Sequence, residues 1–153
     1  MSAGSVGGGC LCGAVRFRIA LPPKWVAHCH CSMCRRAHGA GFVTWVGVAR
    51  DAFTLEIGAA DLVRYRSSAQ ATRSFCRRCG ASLFFESDHW PGEIHVTLAN
   101  LDSAAGLEPQ VHAYWGSRAG WAVAGASDAL PKADPPEHGA QAPGQDDPQS
   151  SSS

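Results

Sequence analysis

The sequence predicts a mainly β fold of antiparallel strands, with few short helical turns. Three observations point there. Residues 14–19 (AVRFRI) alternate strictly, with Val15, Phe17 and Ile19 on one face, the period-2 pattern of a half-buried strand. Other short stretches rich in β-branched and aromatic residues follow, each bounded by Gly, Pro, Asp or Ser clusters that read as turns. No segment of twelve or more residues holds a helical period.

In chain order, residues 1–8 are Gly- and Ser-rich and are expected to be a flexible lead-in. A single globular domain is expected over 9–133. After the strand at 14–19, strands are expected at 42–48 (FVTWVGV), 53–57, 62–65, 82–85 and 93–98. One helical turn is expected at 33–37 and another at 103–105. Residues 134–153 (DPPEHGAQAPGQDDPQSSSS) lack aromatic and β-branched residues. They cannot bury enough apolar surface to offset their ordering entropy, so a disordered tail is expected.

Composition narrows the function classes. The chain has 13 Lys plus Arg and 13 Asp plus Glu, so its formal net charge is zero. That gives no electrostatic reason to expect nucleic acid or an anionic membrane as partner, although Arg35, Arg36, Arg77 and Arg78 could form a local patch. The first ten residues have no basic start and no apolar run, and no window approaches a membrane span, so a cytoplasmic protein is expected. In a reducing compartment a cysteine cluster reads as metal-binding or redox-active, and seven cysteines cannot all pair within the chain.

The cysteines fall into three groups: Cys10-Leu-Cys12, Cys29-His-Cys31-Ser-Met-Cys34 and Cys76-Arg-Arg-Cys79. Thiolates are soft ligands suited to Zn²⁺, which takes four of them in a closed structural site. A C-x-x-C step brings two sulfurs to one metal from a tight turn, and Gly13 and Gly80 follow their cysteines where the chain must bend away. Seven ligands divide into four, which saturate a zinc, and three, which leave a coordination position open. Spacing leaves two partitions. Cys10, Cys12, Cys76 and Cys79 could form the closed site, or Cys31, Cys34, Cys76 and Cys79 could form a zinc ribbon and leave Cys10, Cys12 and Cys29. In a third reading both metals are structural, with His28, His30 or His38 completing the second. A thioredoxin-like role for Cys76 and Cys79 lacks the surrounding βαβ pattern.

The runs GGCLCGAVRF, HCHCSMCRRAHGAGF and FCRRCGASLFF, with HAYWGSRAGW and Leu130-Pro131 later, resemble the glutathione-dependent formaldehyde-activating enzyme family, which includes centromere protein V. The resemblance covers about residues 9–133. It implies twisted antiparallel sheets of the β-tent type and two zinc ions per chain. It also implies a partition: Cys10, Cys12, Cys76 and Cys79 for a structural zinc, and Cys29, Cys31 and Cys34 for an active-site zinc. The implied activity is that of a carbon–sulfur lyase acting on glutathione, or a related thiol, and formaldehyde or its S-hydroxymethyl adduct. The alternative is a non-catalytic zinc module that binds a protein or nucleic acid. No glutathione-contacting residue can be placed position by position.

Other residues are weighed beside the cysteines. His28 and His30 flank Cys29 and are expected to point away from it; Arg35 and Arg36 read as a solvated pair that could instead grip a substrate carboxylate. Trp45, Trp90, Trp115 and Trp121 are expected in the core, His112 as a satisfied structural histidine, and His95 on an exposed face.

Overall fold

Alternation becomes burial at β2 (Arg16–Ala20): Phe17 and Ile19 are fully buried while Arg18 and Ala20 face solvent. Burying such a side chain contributes about 1.5–3 kcal/mol, which is why the pattern selects the strand's inner face. The computed structural model describes residues 4–122 and 130–133. The other described strands are β1 (Ser5–Gly9), β3 (Trp25–Cys29), β4 (Val43–Ala49), β5 (Phe53–Ile57), β6 (Leu62–Arg66), β7 (Ala71–Cys76), β8 (Ser82–Ser87), β9 (Glu93–Thr97) and β10 (Val111–Ala113). One α-helix, α1 (Ser32–His38), follows β3. The fold is mainly β.

The strands form two sheets. The smaller has the order β1-β2-β5, and the larger β10-β3-β4-β9-β8-β7-β6. Among the described strands all pairings are antiparallel except β10 against β3, where Val111, His112 and Ala113 run parallel to Ala27, His28 and Cys29. The large sheet is covered on both faces. Val26, Val46, Val48, Phe84 and Val96 face the small sheet and pack with Phe17 and Ile19. Trp25, Ala27, Trp45, Phe85 and Val111 form a second apolar layer. Phe84 is the hinge of the first layer, with edge-to-face contacts to Phe17 and Phe53 at 5.0 Å each. Gly47 lets the second layer close, because a Cβ there would lie 2.1 Å from the Trp25 ring.

Several expectations need correction, and double-sided burial explains two of them. Strands β3 and β7 lack clean alternation because both of their faces are covered. The same cause puts His95 inside: it is 1% exposed, donates from Nε2 to Glu93 Oε2 at 3.0 Å, and is packed against Trp25 and Phe85. The expected flexible lead-in contains strand β1, whose glycines lie against β2 and are chosen for closeness: a Cβ on Gly8 would meet the Phe17 ring at 2.5 Å. The expected turn of helix at 103–105 is a tight turn instead, with Ala105 and Gly106 both at positive φ and Leu107 N–H donating to the Ala104 carbonyl. Trp121 is 75% exposed rather than core, and Trp90 and Trp115 are half-buried; Trp45 is buried as expected. The tail expected over 134–153 lies outside the described residues.

Candidate metal centres

The first cysteine group closes a seam between the sheets. Cys10 and Cys12 lie on the turn between β1 and β2, while Cys76 ends β7 and Cys79 lies on the turn between β7 and β8. Each turn is tightened by a glycine in the left-handed region. Gly13 (φ 81°) donates to the Cys10 carbonyl at 3.3 Å, and Gly80 (φ 77°) to the Cys76 carbonyl at 2.8 Å. All four sulfurs lie within 4.8 Å of one another, with Cys10 Sγ to Cys12 Sγ at 3.6 Å and Cys12 Sγ to Cys76 Sγ at 3.8 Å. Tetrahedral thiolates around zinc, at about 2.3 Å each, stand roughly 3.8 Å apart. The seven cysteines are free thiols, so these distances are not those of disulfides.

The electrostatics of this cluster suit a divalent cation. The backbone N–H groups of Ala81 and Cys12 pull Cys79 down to about 6. The Ala14 backbone N–H pulls Cys12 the same way, but desolvation and the neighbouring sulfurs outweigh it and push Cys12 up to about 11. One thiol of the group ionises readily and its charge then opposes the next. Bringing all four to thiolates requires positive charge among them, which is what a metal supplies.

The second group is local. Cys29 ends β3, Cys31 caps α1, and Cys34 lies in its first turn. Cys31 takes an extended backbone and its Sγ accepts the Cys34 N–H at 3.2 Å, while Gly39 ends the helix in the left-handed conformation. The three sulfurs lie within 4.8 Å of one another, and all three residues are fully buried. This grouping coincides with the one the family resemblance implies, and the ribbon-type partition does not form. The three histidines considered as completing ligands do not join either set.

Around Cys34 the surroundings favour a thiolate. Burial pushes its thiol up, but hydrogen bonds from Cys29 and Cys31, the Arg73 guanidinium and the Trp45 indole outweigh burial and hold it well below the usual thiol range. Trp45 Nε1 donates to Cys34 Sγ at 3.4 Å and Arg73 Nη2 at 3.6 Å. Burial drives Cys29 well above the usual range, and Cys31 is also raised. Arg73 is buried beneath the Phe85 ring and none of the described carboxylates pairs with it. A buried guanidinium needs a counter-charge. A zinc held by three thiolates would carry one net negative charge, which Arg73 would balance, so the residues present fit such a metal. Sequence spacing missed Arg73, since nothing marks it apart from its place on the strand leading to Cys76.

The neighbouring histidines hold the loop. His28 Nδ1 pairs with Thr44 Oγ1 at 2.8 Å, away from Cys29. His30 Nε2 and His112 Nδ1 pair at 2.7 Å, both rings buried, and the His30 N–H donates to the Ala113 carbonyl. His112 is thus a satisfied histidine, tying the Cys29–Cys31 segment to β10.

The chain is similar to known proteins. The family model for glutathione-dependent formaldehyde-activating enzyme matches residues 5–117. This chain belongs to that family. A Halomonas elongata protein carrying the family's name is 33% identical over 122 residues, covering 74% of this chain and 77% of that one. A Schizosaccharomyces pombe protein described as an uncharacterised lyase is 28% identical over 78 residues, 51% of this chain and 55% of its own length. A crystal structure of a Rhodobacter sphaeroides protein superposes with a TM-score of 0.56 at 29% identity, covering 67% of this chain and 91% of that one. Among the described residues no helix is long and apolar enough to cross a membrane.

Proposed function

We propose that this family member is a zinc-dependent carbon–sulfur lyase-type enzyme that binds two zinc ions and interconverts glutathione, or a related thiol, plus formaldehyde with the S-hydroxymethyl adduct. In this reading Cys10, Cys12, Cys76 and Cys79 hold a structural zinc, and Cys29, Cys31 and Cys34 hold the active-site zinc. The observation that carries it is the buried set of three sulfurs, one short of saturation, with a buried arginine against one of them. Zinc bound by three thiolates leaves a position for a further ligand and deprotonates a thiol that takes it.

The protein's own groups then have separate tasks. Arg73 and Trp45 donate to Cys34 Sγ and spread its charge, so that the set tolerates a fourth anionic sulfur. Full burial of the three cysteines keeps water from the sulfurs. The Cys34 N–H on Cys31 Sγ and the His30–His112 pair fix the loop that presents them. In the forward reaction the thiol's sulfur–carbon bond forms, the carbonyl π pair moves onto oxygen, and the proton lost by the thiol ends on that oxygen.

Exchange spectroscopy at equilibrium tests this without a coupling enzyme. Wild-type protein should speed exchange between glutathione plus formaldehyde and S-hydroxymethylglutathione beyond buffer and free zinc, and Cys31→Ser should remove the gain. Equal exchange rates with wild type and mutant would rule out this substrate pair. Binding without acceleration would mark a thiol carrier instead.

A further inference from the structure

Almost every described arginine donates to an oxygen. Arg16, Arg18, Arg50, Arg64 and Arg78 pair with carboxylates, while Arg35, Arg66, Arg77 and Arg118 reach backbone carbonyls. Arg36 and Arg73 are the exceptions: no oxygen acceptor is found for Arg36, and the acceptor of Arg73 is a sulfur. Both line one cleft of about 410 Å³, between α1 and strands β6–β8. Two buried donors without a hydrogen-bond partner, Arg73 Nη1 and Ser67 Oγ, also belong to residues that line it. The remaining walls are largely apolar, with Met33, Tyr65, Phe75 and Phe84, and no Asp or Glu lines the cleft.

These facts point to one ligand chemistry. A guanidinium without an oxygen acceptor is a strong donor pair that carboxylates satisfy best, often with two parallel bonds. An apolar cleft with a few convergent polar groups is the usual form of a small-molecule site. Arg73 spans the distance from this cleft to the sulfur set, because one of its nitrogens lies 3.6 Å from Cys34 Sγ. Arg36 lies two residues beyond Cys34 on α1 and is exposed at the rim.

We propose that the cleft between α1 and β6–β8 binds a carboxylate of the thiol substrate through Arg36 and Arg73, with Ser67 as an additional donor, and so selects acidic thiols over neutral ones. This rests on the thiol-adduct reading above for the thiol, but not for the carboxylate. Arg36 draws the acid in at the mouth, and Arg73 holds it beside Cys34. Met33, unbranched and half-buried, lets that wall adjust as the ligand seats.

Calorimetry on zinc-loaded protein separates the two ideas with three probes: glutathione, its diamide (both carboxylates converted to carboxamides) and S-methylglutathione. Glutathione should bind about tenfold or more tighter than the diamide, as expected for charge-assisted bonds. Arg36→Gln, an exposed substitution, should bring the two within about twofold at unchanged zinc content. Arg73→Lys, retaining charge but not the fork, should narrow the gap as well. Raising salt should weaken glutathione more than the diamide, since the rim charge is screened. Equal affinities for glutathione and its diamide in wild type, or a gap that survives Arg36→Gln, would overturn the carboxylate site while leaving thiol binding intact. S-methylglutathione that binds as well as glutathione, with the same Arg36 dependence, would keep the site and overturn the thiolate reading. No binding of any probe would overturn both.

Discussion

Replacing Cys12 and Cys34 by serine sets two accounts of stability against each other. Cys12 is exposed and Cys34 fully buried. If packing alone mattered, Cys12→Ser would be harmless and Cys34→Ser costly. A metal reverses the order. Cys12 and Cys76 are 64 residues apart, so a metal shared between them closes a long loop. In the chain-entropy model a link of that span constrains the unfolded chain by about 4 kcal/mol, against about 2 kcal/mol for a loop as short as Cys29 to Cys34. Whole-site zinc binding in small metal domains is worth roughly 10–16 kcal/mol, and domains are stable by about 5–15 kcal/mol. Cys12→Ser should therefore lower the melting temperature by about 10 °C or more, or leave the protein unfolded. Cys34→Ser should lose one zinc and a few kcal/mol from a serine and Arg73 left imperfectly matched, yet stay folded. Elemental analysis of zinc per chain with thermal melts by circular dichroism reads both. A Cys12→Ser variant as stable as wild type, or a Cys34→Ser variant unfolded as fully as Cys12→Ser, would refute the reasoning.

Two further outcomes follow from the surroundings of the sites. Trp45→Phe keeps a buried ring but removes the indole donor to Cys34 Sγ; competition with a chromogenic chelator should show the second zinc held about tenfold more weakly, with the first unchanged. Glu93, where burial is outweighed by the hydrogen bonds of His95 and Lys24, is held down to about 2. Because its folded value is depressed, the stabilisation is present above the ordinary value near 4.5 and is lost as pH falls toward 2. Denaturant titrations should find Glu93→Gln less stable by about 1–2 kcal/mol at pH 7, a difference that narrows below pH 4.5.

How far the sequence could be read depended on whether an element has one covered face or two. Strand β2, with solvent on its outer face, alternates visibly, and the strand at 53–57 stands where its pattern put it. The short helix expected at 33–37 is α1, extended to Ser32–His38 because Cys31 caps it and Gly39 ends it. Strands β3 and β7 lie inside the two-sided sheet, where polar residues such as Arg73 and Ser74 are buried and mark no solvent face, and His95 departs from its expected exposed position for the same reason.

The three cysteine groups and the glycines that turn the chain after them are local features, and spacing alone made them candidate thiolate ligands. The sequence alone therefore determined the β class, the soft-ligand chemistry and the three cysteine groups along the chain. Which sulfurs meet was decided by the tertiary structure: β7 and β8 carry Cys76 and Cys79 to the β1–β2 turn on one side of the large sheet, while Cys29, Cys31 and Cys34 remain together on α1's approach. The same pairing of strands placed Arg73 beside Cys34, across 39 residues of sequence, and opened the cleft it shares with Arg36. No local pattern encodes that meeting, because it depends on sheet order and register, and these are set by how the whole chain buries its apolar surface.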